Sequence, residues 1–312
     1  MKKVKDFLWK PKMSVEECVS SFDSLGYQAT ELNQAVSIAL KMKRSNSKIF
    51  LTFTSNMVTS GLRGFFAQLC RLKIPNILIT TSGSIEEDIM KALGEDFELS
   101  SFNADDTAMH ERGENRIGNL LIRNESYMKF EDKMIKLLGK VYEKKKRISV
   151  SELLREIGLM ISDENSILYQ AAKNNIPVYC PGIADSSFGF QLYMFQQKHS
   201  SFVVDTIKDM EQITIDLSFD EKKGLISLGG SISKHYAIFS ASLSGGFDYA
   251  VYMTTSHASS GSLSGATTQE AKSWGKLKDN AEATTVIGDV CITFPLMMVS
   301  VLDKLKKQNL LQ

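Results

Sequence analysis

Short apolar runs, each closing on small or polar turn residues, recur along this chain, and no other feature constrains its fold as tightly. They are "KIFLTFTSN" (48–56), "NILITTSGS" (76–84), "IPVYCPGIAD" (176–185), "FVVD" (202–205), "GLISLGGS" (224–231), "DYAVYMTTS" (248–256) and "TTVIGDV" (284–290). Their length and β-branched content suit buried strands. Between them, apolar residues fall at helical spacing over 64–72, 86–93, 130–145, 150–160 and 166–174. Alternating strand and helix gives βαβ units, so the expected class is α/β with a doubly wound, mainly parallel sheet. Such a sheet places ligands at the carboxyl ends of its strands. No internal repeat or flexible linker interrupts the pattern. The expectation is one domain over residues 1–312, with an N-terminal helical arm over about residues 1–45.

Charge and composition exclude several classes. The formal net charge is +1, which leaves no electrostatic footprint for nucleic acid or a membrane surface. No apolar run reaches the ~18–20 residues of a membrane span. The start, "MKKVKDFLWKPKMSVEE", lacks the apolar stretch of a signal peptide. Cys18, Cys70, Cys180 and Cys291 are far apart and form no CxxC pair, and the four histidines are scattered. No metal site is expected, and a reducing cytoplasm fits best. The glycine fingerprint GxGxxG is absent, so that route to a dinucleotide is closed.

Three stretches carry chemistry. In "TTSGSIEED" (80–88), Ser82, Gly83 and Ser84 permit close backbone approach, and a helix start follows with free N–H groups. Ser84 and Glu87 have capping-box spacing, which would account for both without a ligand but leaves Glu86 unexplained. In "GGSISKHY" (229–236), Lys234 and His235 follow a glycine turn, and a lone histidine is by default a packed or surface residue. In "SSGSLSGATTQEAKSWGK" (259–276), a small-residue loop runs into Glu270, Trp274 and Lys276. Glu270 and Trp274, four apart, are expected on one helix face. A carboxylate, an indole and a lysine so close together suit a pocket for a cationic chain with a lysine nucleophile.

The blocks "SNMVTSG" (55–61), "TTSGSIEED" (80–88), "NRIGNLLIRNESYMKFED" (115–132), "NNIPVYCPGIADSSFGFQL" (174–192), "LGGSISKH" (228–235) and "GSLSGATTQEAKSWGK" (261–276) together resemble the deoxyhypusine synthase family. The likeness runs in order from about residue 5 to about residue 300. It implies a Rossmann-like α/β fold, a homotetramer with sites at dimer interfaces, NAD as cofactor and spermidine as donor. The implied reaction moves a 4-aminobutyl group to one lysine of the translation factor 5A precursor. By matching motif, Lys276 would form the covalent imine. Glu86, His235, Gly261, Ser262, Glu270 and Trp274 would line the substrate pocket. NAD would meet Ser55, Asn56, Met57, Val58, Thr59, Thr81, Ser82, Gly83, Glu87, Asp185, Gly230, Thr255, Ser256, Asp289 and Val290. Phe190 and Leu263 stand where the eukaryotic pattern has aspartates, and the archaeal branch resembles this chain at both places. Polyamine recognition would then rest more on Glu86, Glu270 and Trp274.

The implied chemistry suits these residue types. Hydride leaves a carbon beside a nitrogen that must be neutral, so a base is needed, and His235 is the candidate. Lys276 must attack as a free amine, which a dry pocket or a nearby cation favours. Trp274 would exclude water and hold an ammonium on its ring face. Two other readings share part of this pattern. A homospermidine synthase-like enzyme would use putrescine or another small amine as acceptor, and a non-catalytic paralogue would support an active partner subunit.

Overall fold

The computed structural model describes residues 2–311, which pack as two compact units. One unit takes the chain through Phe53, Ile74–Ile79 and the residues from Glu211 onward; the other takes Thr54–Lys73 and Thr80–Met210.

The first unit is built on the strands Lys48–Phe53, Ile77–Thr80, Lys223–Leu228, Phe247–Thr254 and Leu277–Ile287. Lys48–Phe53 sits inside the sheet, with Ile77–Thr80 on one side and the other three following in turn on the opposite side. Lys48–Phe53 pairs parallel with Lys223–Leu228, which pairs parallel with Phe247–Thr254, which pairs parallel with Leu277–Ile287. The winding therefore reverses at Lys48–Phe53, the expected doubly wound arrangement. Every residue of Lys223–Leu228 is buried, because a parallel sheet is covered on both faces. The helix Gln28–Arg44 supplies part of that cover. It buries Leu32, Val36, Ile38 and Leu40 and packs on Phe247–Thr254 and Leu277–Ile287. Gly224 permits this approach, since a Cβ there would lie 2.7 Å from Met42 Sδ.

The second unit is mostly helical: Arg63–Arg71, Ser82–Ala92, Asn124–Lys144, Val150–Leu159, Ile167–Lys173 and Ser187–Lys198. The 202–205 run forms its strand at Val203–Asp205, but in a separate parallel ladder with Arg147–Ser149. A second small sheet is antiparallel, with Glu98–Leu99, Leu120–Arg123 and Glu114–Ile117 in that order. The packing centre of the unit is charged. Asp88, 1% exposed, accepts from Arg63 Nε at 2.6 Å, Ser166 Oγ at 2.8 Å, Ile167 N at 3.1 Å and Leu168 N at 2.9 Å. A carboxylate from one helix thus caps the N-terminus of another, where the helix dipole and orphan N–H groups favour negative charge.

Ser84 does not cap its helix. Ser82–Ala92 starts two residues earlier, with Thr81 at the N-cap, and Ser84 Oγ instead accepts from Thr80 Oγ1 at 2.7 Å. The turn after the strand is tighter than capping-box spacing implies.

Candidate active site

In the first unit, three neighbouring parallel strands end together. Their register aligns Leu228 with Met253 and Thr254 with Ile287. Gly230, Thr255, Ser256, Asp289 and Val290 therefore follow one shared carboxyl edge. Gly230 is fixed by close approach: a Cβ there would fall 2.4 Å from Ser264 Cα. Asp289 caps the helix Val290–Lys307, its side chain accepting from Cys291 N at 2.7 Å.

Beside this edge a cleft is lined by Lys234, Tyr252, Leu263, Glu270, Trp274 and Lys276, among others. It joins Glu270, Trp274 and Lys276, as the spacing suggested, but by a different route. The helix Thr268–Ser273 ends before Trp274, which is its C-cap, so Glu270 and Trp274 share no continuous helical face. Gly275 then turns at φ 65°, and Lys276 N closes on Ala271 O at 3.1 Å. This turn brings Lys276 Nζ to 5.1 Å from the Trp274 ring centroid. Trp274 is 69% exposed in the chain, so the indole does not by itself exclude water. Gly261 and Ser262 lie in the preceding loop, Gly261 at φ 66°, and are not among the cleft's lining residues.

His235 stands on the helix Ser231–Ser242, its ring stacked on Phe239 at 6.0 Å and 7°. Burial, and then the Lys276 charge, hold its pKa below the ordinary imidazole value. The ring is therefore neutral at neutral pH and able to take a proton.

Lys234 and Tyr252 were not expected as cleft residues. Lys234 is 1% exposed and donates from Nζ to Leu263 O at 3.0 Å and Ala266 O at 2.8 Å. The same nitrogen lies 4.0 Å from the Tyr252 ring centroid. Burial pulls the Lys234 amine down to about 8. The available signal was the position of Lys234 beside His235; burial of its ammonium under a loop is a tertiary fact.

In the second unit, Ser55–Thr59 and Thr81–Gly83 meet. Ser55 N donates to Thr81 Oγ1 at 3.1 Å, and a Cβ on Gly83 would fall 2.8 Å from Ser55 Cβ. Lys91 Nζ ties down the turn from below, donating to Val58 O at 2.8 Å and Thr59 O at 3.0 Å. Asp185 follows Ile183, whose carbonyl accepts from Ser82 Oγ at 3.5 Å. Glu86 accepts from Phe188 N at 3.1 Å, so one oxygen is already used near the start of Ser187–Lys198. Burial raises the Glu86 carboxyl. Phe190 is exposed and packs beside Tyr193.

Glu87 is 7% exposed, and its Oε2 has no hydrogen-bond partner among the described residues. Burial pushes this carboxyl up to about 8. An unfolded chain releases this proton near the ordinary carboxylate pKa, whereas the folded chain holds it to about 8. Stability therefore falls as pH rises through that window. Glu87→Gln is expected to flatten this slope, so that the variant loses less stability than the parent chain between pH ~5 and ~8. Urea midpoints at the two ends of that range measure it, and equal slopes for both proteins would contradict it.

Among the described residues there is no cluster of three or more His, Cys, Asp or Glu side chains able to hold a metal. No described helix is long and apolar enough to cross a membrane. The four cysteines form no disulfide.

The family model "Deoxyhypusine synthase" matches residues 17–301. A probable deoxyhypusine synthase of Thermoplasma volcanium is 39% identical over 300 residues, covering 95% of this chain and 96% of the relative. One of Schizosaccharomyces pombe is 35% identical over 311 residues, covering 94% and 89%. A crystal structure of a putative deoxyhypusine synthase from Entamoeba histolytica superposes with a TM-score of 0.68 at 24% identity, covering 96% of this chain and 97% of that one, which speaks for the fold. With the family's blocks in order along the chain and its fold in place, the chain belongs to the deoxyhypusine synthase family, a family of enzymes.

Proposed function

We propose that this enzyme takes the 4-aminobutyl group of spermidine and delivers it to one lysine of the translation factor 5A precursor, with NAD as cofactor and Lys276 as the covalent carrier. The observation that supports this best is the meeting of Glu270, Trp274 and Lys276 in one cleft. His235, held neutral, lies within electrostatic reach of Lys276.

The residues present suit a nucleotide. Gly83 and Gly230 leave space that a Cβ would fill, and Glu87 keeps an unpartnered buried oxygen of the kind that binds a ribose hydroxyl. By the family's motifs, the NAD contacts would be Ser55–Thr59, Thr81–Gly83, Glu87, Asp185, Gly230, Thr255, Ser256, Asp289 and Val290. When bound, NAD supplies the hydride acceptor and later the hydride source.

The chain's own residues do the rest. Glu270 anchors an ammonium of the donor by a charge-assisted bond. The Trp274 face adds cation–π attraction, worth about 0.5–2 kcal/mol. His235 takes the proton from the donor's secondary nitrogen, so that its lone pair is available. The Lys276 amine then exchanges for the departing diamine, which leaves the four-carbon fragment on Lys276 as an imine. The acceptor lysine takes the fragment by the same exchange and regenerates Lys276. Glu86, whose carboxyl is held by backbone N–H groups at Ser187 and Phe188, is a further donor-binding residue by the family's motif. Leu263 lines the cleft where the eukaryotic pattern has an aspartate, so Glu270 carries more of the ammonium recognition. A homotetramer in the cytoplasm, with partner subunits completing each site, agrees with this reading.

Purified enzyme incubated with NAD, spermidine and either the factor 5A precursor or putrescine tests the proposal. Mass spectrometry is expected to find one aminobutyl group on the precursor. Homospermidine in the putrescine reaction with an unmodified precursor would assign the acceptor to the small amine instead. No product in either reaction from the homo-oligomer would favour a non-catalytic subunit.

A further inference from the structure

Tyr252 lies on the strand Phe247–Thr254 and is 1% exposed. Its ring is held by the Lys234 ammonium, 4.0 Å from the centroid. Its hydroxyl has no hydrogen-bond partner among the described residues. A phenylalanine would present the same ring to Lys234 without burying an unsatisfied polar atom. An orphan hydroxyl of this kind costs stability and calls for a partner that the isolated chain lacks. Tyr252 also lines the cleft that holds Glu270, Trp274 and Lys276, so a ligand in that cleft is the partner within reach.

The hydroxyl's role as a donor selects the ligand group. Burial raises the phenol well above its usual value, so it remains an O–H donor at neutral pH. Two lysines and one carboxylate are among the cleft's lining residues. The Glu270 carboxylate acts on the phenol and Lys234 stands against its ring, but a ligand ammonium has no lone pair to accept from the O–H. A neutral nitrogen offers that lone pair.

We propose that the Tyr252 hydroxyl is a donor-binding contact, giving its hydrogen bond to a neutral nitrogen of the aliphatic amine that enters the cleft, while Lys234 fixes the ring. The assignment rests on the aminobutyl-transfer reading. It adds a residue that favours the unprotonated donor nitrogen that proton removal by His235 produces and that hydride loss requires.

Tyr252→Phe tests it with two readouts, steady-state kinetics in spermidine and the melting temperature with and without spermidine. The expected result is a fall in kcat/KM for spermidine of about tenfold, with the KM for NAD unchanged. The melting temperature without ligand is expected to be equal to or above that of the parent chain, because an orphan hydroxyl has been removed. The shift induced by spermidine is expected to shrink. Unchanged spermidine kinetics and an unchanged spermidine shift would overturn the contact. So would a lower ligand-free melting temperature with unchanged kinetics; that would place the hydroxyl in a structural role, such as a water shared with Thr285, its register partner, whose Oγ1 is also unpartnered. If the parent chain neither transfers the aminobutyl group nor is stabilised by spermidine, the broader reading fails together with this one.

Discussion

Lys276→Ala is expected to lower aminobutyl transfer by roughly three orders of magnitude or more, because no other cleft residue can carry the fragment in its place. The fold should survive. The Lys276 side chain makes a ring contact with Trp274, and cation–π contacts at exposed sites contribute only about 0.5–1 kcal/mol. Lys234, the other cleft lysine, cannot substitute. Its nitrogen is committed to the carbonyls of Leu263 and Ala266 and buried over the Tyr252 ring. Oxidation of spermidine should continue in the variant, since His235 and the proposed NAD contacts are untouched. The measurement is the mass of the acceptor protein alongside the yield of cleaved diamine. Full transfer by Lys276→Ala would remove its covalent role.

The largest expected effect on stability lies away from the chemistry. Asp88→Ala removes the buried carboxylate of the Arg63 guanidinium, 7% exposed, and leaves Ser166 Oγ and the amides of Ile167 and Leu168 without their acceptor. Breaking a buried pair by removing one partner typically costs ~3–5 kcal/mol, because the remaining charge stays desolvated. Asp163 also meets Arg63, at 2.5 Å, but its side chain is 26% exposed. Asp163→Ala should therefore cost less than half as much, since water can replace the carboxylate. Urea denaturation of both variants measures the contrast; equal small losses would mean that Asp88 is not the keystone of its unit.

The sheet was legible because buried parallel strands need short, mostly apolar runs, and each of the seven runs overlaps a strand, although Leu277–Ile287 starts before its run and Val203–Asp205 joins a separate ladder. The Glu114–Ile117 and Leu120–Arg123 hairpin was not read, although "RIGNLL" carries a signal. Gly118 and Asn119 form a two-residue loop, Gly118 sits at φ 63°, and Ile117 pairs with Leu120. Ser84 was misread because capping-box spacing does not report where a strand stops; Thr81 takes the cap first. In the cleft, Glu270, Trp274 and Lys276 were legible from proximity in sequence. The turn at Gly275, rather than an i to i+4 pairing, brings them together. Lys234 and Tyr252 were not legible. A tyrosine inside an apolar strand reads as core, and only the folded chain shows that its hydroxyl lacks a partner.

The covalent step is open to direct capture. The enzyme would be incubated with NAD and spermidine without acceptor, reduced with borohydride, digested and sequenced by mass spectrometry. A four-carbon amine fixed on the Lys276 side chain is the expected product, whereas an adduct on another residue, or none while spermidine is being cleaved, would contradict the assignment.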